Sequence, residues 1–587
     1  MTNILRYLRP KEWALIGVIV AFIVVQVWLD LRLPEYMGTI TQLIRTEGST
    51  MDDIWFNGKY MIMCSLGSLA TAIVVGFIAS RVGASFVQRL RSLQFEKVDS
   101  FSMAEINKFS IASLITRSTN DVTQVQMAFV IGLQIIFKSP ILAAWAIVKI
   151  SGKGLEWTSA TAVAMAMLVL IFAVVILKVI PKFRMMQTLT DNVNRVTREN
   201  LTGLPVVRAY NAEDHQECKF ERANEDLTST QMYTTHAMAA LMPLIFVIMN
   251  MLILSIYWIG AILVSSLWGE EEALVVFSDT IVFVSYAMQL MMAIMMLMML
   301  FIILPRAQVA ARRIAEVIDT ELSVGDGEVT GSGSGRKGEV EFRNVSFKYP
   351  GASDYVLRDV SFSVGQGETV AFIGSTGSGK STLINLVPRF YDATEGSVLV
   401  DGVNVREYRL ESLYDKIGYV PQKSVLFSGT VASNVAFGES GGGQATEDDV
   451  KRAVRIAQGT DFVENMEGEY EGAVARGGAN VSGGQKQRLS IARAVCRQPE
   501  IFIFDDSFSA LDYKTDRALR TALKKETQGA TSMIVAQRIG TIMDADKIIV
   551  LDEGEVVGIG KHKELLNTCG VYREIAVSQL SEKELAL

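Results

Sequence analysis

Cysteine is nearly missing from this sequence: four in 587 residues, at Cys64, Cys218, Cys496 and Cys569, with no C-x-x-C pair. A disulfide framework and a thiolate zinc site are thereby excluded, and reduced thiols are the expectation. Charge is thin too. Only 20% of residues are charged while 50% are hydrophobic, and the mean hydropathy is +0.28, too apolar for an average soluble protein. There is no basic excess: the net charge of −7 argues against a nucleic-acid binder, which would need a basic face. No A-x-A cleavage pattern follows the basic start Met1 to Lys11, so the first apolar stretch reads as a retained anchor and not a signal peptide.

What the chain has in quantity is long apolar runs. Six of them precede residue 305, near Trp13–Leu33, Met61–Ser80, Met127–Ile150, Trp157–Val179, Leu241–Trp268 and Leu274–Leu304. Each reaches the roughly 17–25 residues that cross a bilayer as a helix. The third and fourth are separated only by Ser151–Glu156, the fifth and sixth by an acidic turn at Glu270–Glu272. By contrast, the connections after the second and fourth runs are long and basic. One carries Arg81, Arg89, Arg91, Lys97, Lys108 and Arg117; the other carries Lys182, Arg184, Arg195, Arg198, Arg208, Lys219 and Arg222. Positive charge marks the cytoplasmic side, which places both connections and the N-terminus there and returns the chain to the cytoplasm after six spans.

Those connections are poor in Gly and Pro, so spans two to five should run on as helices beyond the membrane. Breaks in the pattern fall around Ser102–Asn107 and Tyr210–Asp214, each either a short helix across the tips or a solvated turn. Lys138, before Ser139-Pro140 in the third run, is costly in hydrocarbon and should face a wet cavity or a partner. The sixth run is rich in methionine (Met288, Met291, Met292, Met295, Met296, Met298, Met299). Thioether side chains repack easily, and a subset beside Tyr286 and Gln289 is a candidate lining for a substrate path, the alternative being plain helix packing. Residues 325–338, mostly Gly, Ser and charged, read as a flexible linker spanning about 20 Å, dividing a membrane domain (1–324) from a second domain (339–587).

In the second domain, strand-like runs alternate with helical ones, as an α/β fold requires. The apolar run Thr369–Ile373 leads into Gly374-Ser375-Thr376-Gly377-Ser378-Gly379-Lys380-Ser381-Thr382, which fits G-x-x-x-x-G-K-[ST]. Glycines let the main chain curl so that successive N–H groups and a helix start point at an anion. Lys380 would reach the β- and γ-phosphates of a nucleotide, and Ser381 would help hold Mg²⁺. Phe342–Tyr349 alternates like a strand and ends in an aromatic, Tyr349, able to stack on adenine. Ile501–Phe504 is a buried strand ending in Asp505 and Asp506; Asp505 is placed as the Mg²⁺-binding Asp of a phosphate-loop protein. A second glycine turn, Ser482-Gly483-Gly484-Gln485, opens a helix between them.

The two glycine turns together resemble the ATP-binding-cassette (ABC) proteins. Six spans, two long cytoplasmic connections and one cassette resemble an exporter half-transporter of that family. The resemblance implies an all-α six-helix transmembrane domain followed by an α/β P-loop nucleotide-binding domain, with ATP and Mg²⁺ as cofactors. It further implies roles at matching positions: Tyr349 as the adenine platform, Gln422 as the loop glutamine that contacts Mg²⁺ and senses the membrane domain, and Ser482–Gln485 as the signature that closes on the γ-phosphate held by the opposite cassette. Ser509-Ala-Leu-Asp512 matches the loop bearing Asp512 at that interface. Thr116-Arg117 to Asp121 and Glu199–Gly203 resemble the family's cytoplasmic-loop patterns, which makes the two breaks candidate coupling helices.

Two departures from the family pattern stand out. Asp506 stands where the family usually has Glu, which retracts the carboxylate by about 1.5 Å. Gln537 stands where it usually has His, and the histidines here are His215, His236 and His562. Misplacing a catalytic group by about 1 Å can cost about 100-fold in rate, and a Gln cannot become a cation beside the γ-phosphate. The catalytic set Asp506, Gln537 and Gln422 thus implies a site that binds ATP and turns over slowly. The signature itself is complete, which matches the heterodimeric exporters, in which a non-identical partner with Glu and His supplies the fast site. Arg476, where the family tends to have Glu, is a further change without an assigned effect. The expectation is a drug-like or amphipathic cargo moved across a bacterial plasma membrane, with the N-terminus and cassette cytoplasmic. A homodimeric lipid or peptide exporter and a nucleotide-gated channel or regulatory subunit are the competing readings.

Overall fold

The computed structural model describes residues 2–46, 49–267, 269–331, 337–438, 443–526 and 529–580. Two compact units emerge: residues 1–97 with 112–319, and residues 98–111 with 320–587. Part of the expected linker (332–336) and Trp268, the expected end of the fifth span, lie outside the described residues.

In the first unit, six helices are long and apolar enough to cross a membrane: Pro10–Ile44, Met51–Asp99, Ile111–Ser151, Leu155–Thr202, Glu213–Ser265 and Glu271–Ile318. A chain in hydrocarbon must satisfy every backbone N–H and C=O internally, which is why these runs are helical throughout. As expected, the second to fifth continue far past their apolar stretches. Phe77, Ile73, Leu69, Leu66 and Ile62 leave an exposed apolar stripe along the second helix, normal for a surface whose solvent is lipid.

Lys138 faces a partner, not a cavity: its Nζ lies 3.5 Å from Asp30 in the first helix, and Ser68 in the second donates to the same carboxylate. Tyr286 and Gln289, weighed as path-lining residues, instead donate to the main chain of the first helix, at Leu31 O (3.0 Å) and Asp30 O (3.3 Å). Met291 is fully buried, while Met292 and Met299 are exposed. The methionine-rich helix therefore serves packing on one side at least.

The segment Arg117–Asp121 forms a π-helical turn. Across it, Arg117 pairs with Glu316 at 2.8 Å and Asp121 with Arg313 at 3.1 Å. A one-turn widening of this kind redirects side chains that a regular helix would aim elsewhere. At the second break Tyr210–Asn211 is an exposed turn, one of the two expected forms, and the short helix is Leu204–Ala209 just upstream, opened by Gly203 with Pro205 in its first turn.

The second unit contains a six-stranded sheet in the spatial order Glu555–Gly560, Lys547–Asp552, Thr369–Gly374, Thr531–Val535, Ile501–Asp505, Ile417–Val420. All its pairings are parallel except the first, and the parallel strands are near-continuous apolar runs, as burial on both faces demands. An antiparallel sheet of Leu357–Val364, Val340–Phe347, Glu395–Val400 and Val403–Asn404 supplies a second layer. The expected linker is partly docked here: Gly327 and Val329 donate main-chain bonds to Tyr408 and Glu407. A Cβ on Gly327 would lie 2.3 Å from the Glu407 oxygen, so the close approach requires glycine.

The first break is helix Met103–Phe109, grouped with this unit. Ser102 and Glu105 form its capping box, and Glu105 also accepts from Ser323 N at 3.0 Å. Its Asn107 donates to the Tyr391 hydroxyl at 3.0 Å.

Candidate functional site

The site begins where the central strand Thr369–Gly374 ends and helix Lys380–Asn385 starts. Gly374 packs so tightly that a Cβ would sit 1.9 Å from Leu551 O. Gly377 and Gly379 adopt φ of 87° and 94°, open to glycine at no steric cost. Ser375–Gly377 are exposed and Ser378 and Gly379 buried, giving a loop with an outward rim and a fixed base. Lys380 folds back across it, donating to Gly374 O (2.9 Å), Ser375 O (2.6 Å) and Ser378 Oγ (3.2 Å). Its ammonium therefore sits where the curled main chain would meet phosphate. Burial pushes the Lys380 ammonium below its usual pKa, with Asp506 and Asp505 opposing that.

The neighbouring strand end brings the carboxylates in. Ser381 Oγ donates to Asp505 Oδ1 at 2.8 Å. Among the described residues no group of three or more His, Cys, Asp or Glu could hold a metal alone. Mg²⁺ asks for less: it binds through one or two carboxylates or hydroxyls, with phosphates and waters completing an oxygen shell. Asp505 and Ser381 in contact, with Lys380 in the adjoining loop, fit that requirement.

Asp506 follows directly, in the left-handed region at φ 47°. Its Oδ2 accepts from Gln537 Nε2 at 2.8 Å and from Gln422 Nε2 at 3.4 Å, and Ser509 Oγ donates to its main-chain oxygen at 2.9 Å. Residues 115 positions apart in sequence thus converge on one carboxylate, each sitting just beyond a parallel strand. Burial raises both Asp505 and Asp506 above the ordinary carboxylate range; for Asp506 the Gln422 and Ser509 bonds and the charge of Lys380 pull the other way.

Tyr349 lies just past strand Val340–Phe347, its hydroxyl 2.9 Å from Thr382 Oγ1. Tyr391 meets it edge-on at 5.3 Å, and Phe347 at 5.0 Å. The aromatic platform is thereby braced, and its brace Tyr391 is the residue that Asn107 bonds. Neither link was visible in the sequence, since both join segments far apart in the chain.

The other sequence-predicted residues stand apart from this cluster. Ser482 caps helix Gly483–Cys496: its N–H donates to Gln485 Oε1 at 2.8 Å and its Oγ accepts from Gln485 N. Ser482 and Gly483 are exposed at the positive end of that helix. Asp512 accepts from Thr515 N at 3.0 Å, capping helix Tyr513–Glu526, and hydrogen bonding from the Thr515 side chain and main chain holds its carboxyl below the usual range.

Residues 16–294 match the ABC transporter transmembrane region, and residues 357–509 match the ABC transporter domain. An uncharacterized ABC transporter ATP-binding protein of Mycobacterium tuberculosis is 37% identical over 98% of this chain and 97% of its own. The chain belongs to the ABC transporters. Another uncharacterized ABC transporter ATP-binding protein, from Bacillus subtilis, is 34% identical over 99% of both chains. An ATP-dependent lipid A-core flippase of Pseudomonas aeruginosa is 32% identical, covering 86% of this chain and 82% of that one. In fold, a bacterial Atm1-family ABC exporter with ATP bound superposes with a TM-score of 0.78, at 24% identity over 97% of this chain and 100% of that one. This ABC transporter fuses one membrane region to one cassette and is an ATPase coupled to transport that uses ATP with Mg²⁺.

Proposed function

We propose that this chain is the slow-hydrolysing half of a heterodimeric ABC exporter for amphipathic, drug-like compounds. In this reading Tyr349 stacks on adenine, the loop Gly374–Thr382 holds the phosphates, and Ser381, Asp505 and Gln422 hold Mg²⁺. Bound Mg²⁺ would neutralise charge on the phosphates; every other task falls to the chain's own side chains. Ser482–Gln485 and Asp512, which find their bonds within their own turns, are free to complete the phosphate site of a non-identical partner carrying Glu and His. The membrane half sits in the bacterial plasma membrane with the N-terminus and cassette cytoplasmic, as the charge bias of its connections suggests.

The observation that carries this reading is the Asp506 carboxylate. It is one methylene shorter than the family's Glu and already accepts from two amides, neither of which can become a cation. Orienting a water therefore falls to a short, engaged base, and turnover at this site should be slow. In the co-purified complex, Asp506→Glu with Gln537→His should raise ATPase by up to about 100-fold at the altered site. Unchanged ATPase would overturn the reading.

A second reading, a homodimeric lipid exporter, is favoured by the flippases among the relatives. Lipid-stimulated ATPase and lipid movement by the chain reconstituted alone would select it.

A further inference from the structure

The last helix, Gly570–Gln579, is anchored at its start and active at its end. Tyr572 and Ala576 are fully buried in the cassette core, and the Tyr572 hydroxyl lies 2.6 Å from His562 Nδ1. At the opposite end the exposed Gln579 side chain reaches across to another loop. Its Nε2 donates to Gln537 O and its Oε1 accepts from Ile539 N, both at 2.8 Å. One amide thus grips the main chain on both sides of Arg538.

What that grip holds is the loop that delivers Gln537 to Asp506. Upstream, Ala536 is tied to the sheet through its N–H on Phe372 O. Downstream, Ile539 is fully buried. Between these fixed points Gln537 and Arg538 are exposed, and nothing in their own composition restricts their dihedrals. An exposed Gln would otherwise bond water. Here it satisfies one donor and one acceptor with a spacing that only its own length and chemistry supply: Asn is a methylene short, Glu has no donor, and Met has neither group.

We propose that Gln579 is a positioning residue of the nucleotide site. Acting through the main chain of Gln537 and Ile539, it sets the Gln537–Asp506 hydrogen bond, so the C-terminal helix governs turnover at a site it does not touch. This rests on the reading of Asp506 as the water-orienting carboxylate. Loosening Gln537 leaves that carboxylate less well aimed, while the loop that binds ATP is unaffected.

The test uses the full-length co-purified complex with Gln579→Met, which keeps length and packing but loses both bonds, and with Gln579→Glu, which keeps only the acceptor. Hydrogen exchange at the Ile539 amide should speed up in Gln579→Met. Its own-site kcat, read with the partner's site silenced by replacing the partner's catalytic Glu with Gln, should fall about five- to tenfold, in both the native and the Asp506→Glu backgrounds, with KM for ATP within about twofold. Gln579→Glu should fall between Met and the native residue. Unchanged exchange overturns the clamp; faster exchange with unchanged kcat overturns its positioning role. A packing role is shown instead, and the proposal lost, if Gln579→Met behaves as the native chain. The Asp506→Glu substitution alone reports on the underlying reading: if it changes nothing, that reading fails while the Gln579 result still stands on exchange and native-background kcat.

Discussion

The cassette carries two glycine turns, and they are organised in opposite ways. The loop Gly374–Lys380 is drawn inward: Lys380 folds over it, Ser381 meets Asp505, and Tyr349 is tied to Thr382. The turn Ser482–Gln485 faces outward, its hydrogen bonds closed between Ser482 and Gln485 at an exposed helix start. One is built from several segments of this chain; the other closes its bonds within its own turn and stays exposed. Side-chain chemistry follows the same division. On the proposed reading the inward loop keeps its full set of phosphate and Mg²⁺ groups, and the departures from the family pattern fall at Asp506 and Gln537, where water would be oriented. On that reading, binding and splitting of ATP are therefore separable here.

Substitutions can sharpen that contrast. The largest effect is expected from Ser482→Arg, which fills the outward turn. ATPase of the co-purified complex should fall by on the order of 100- to 1000-fold, as when a donor to a charged transition state is lost. ATP retained on this chain's own loop, measured by filter binding, should not change. Lys380→Ala should do the reverse, weakening ATP binding to this chain about 10- to 100-fold by removing charge-assisted bonds to phosphate. Equal loss of binding in both variants would erase the distinction between the turns.

A smaller effect concerns pH. Asp506 must be ionised to accept a proton, and burial raises it above the usual 3.8, so the acid limb of own-site ATPase should lie above that value. Gln537→Leu removes a donor that stabilises the ionised form. The limb should then move to higher pH by about half a unit to one unit. A shift to lower pH would mean that Gln537 does not serve Asp506.

The membrane helices were legible because run length alone decides what crosses a bilayer, and their extensions because the connections are poor in Gly and Pro. Both phosphate-type turns were legible because glycine spacing reports a main-chain requirement. Partnerships between distant residues were not. Lys138 demanded a partner by its cost in hydrocarbon, yet nothing in the sequence pointed to Asp30, 108 residues earlier. Leu204–Ala209 hid its helix because six residues are too few to show a helical period; Gly203 was the signal that marked the break. Gly327 read as linker, though it is the close approach to Glu407 that demands glycine there. The departures at Asp506 and Gln537 could be seen separately, but that they share one hydrogen bond depends on parallel strand order, which sequence separation conceals.

The most direct measurement takes the full-length chain, expressed and purified on its own in lipid nanodiscs at saturating MgATP. ATP retained per chain and its rate of hydrolysis would be measured on the same sample, with and without amphipathic compounds. The account predicts near-stoichiometric ATP with turnover close to background under every condition. Brisk, cargo-stimulated turnover by the chain alone would contradict it.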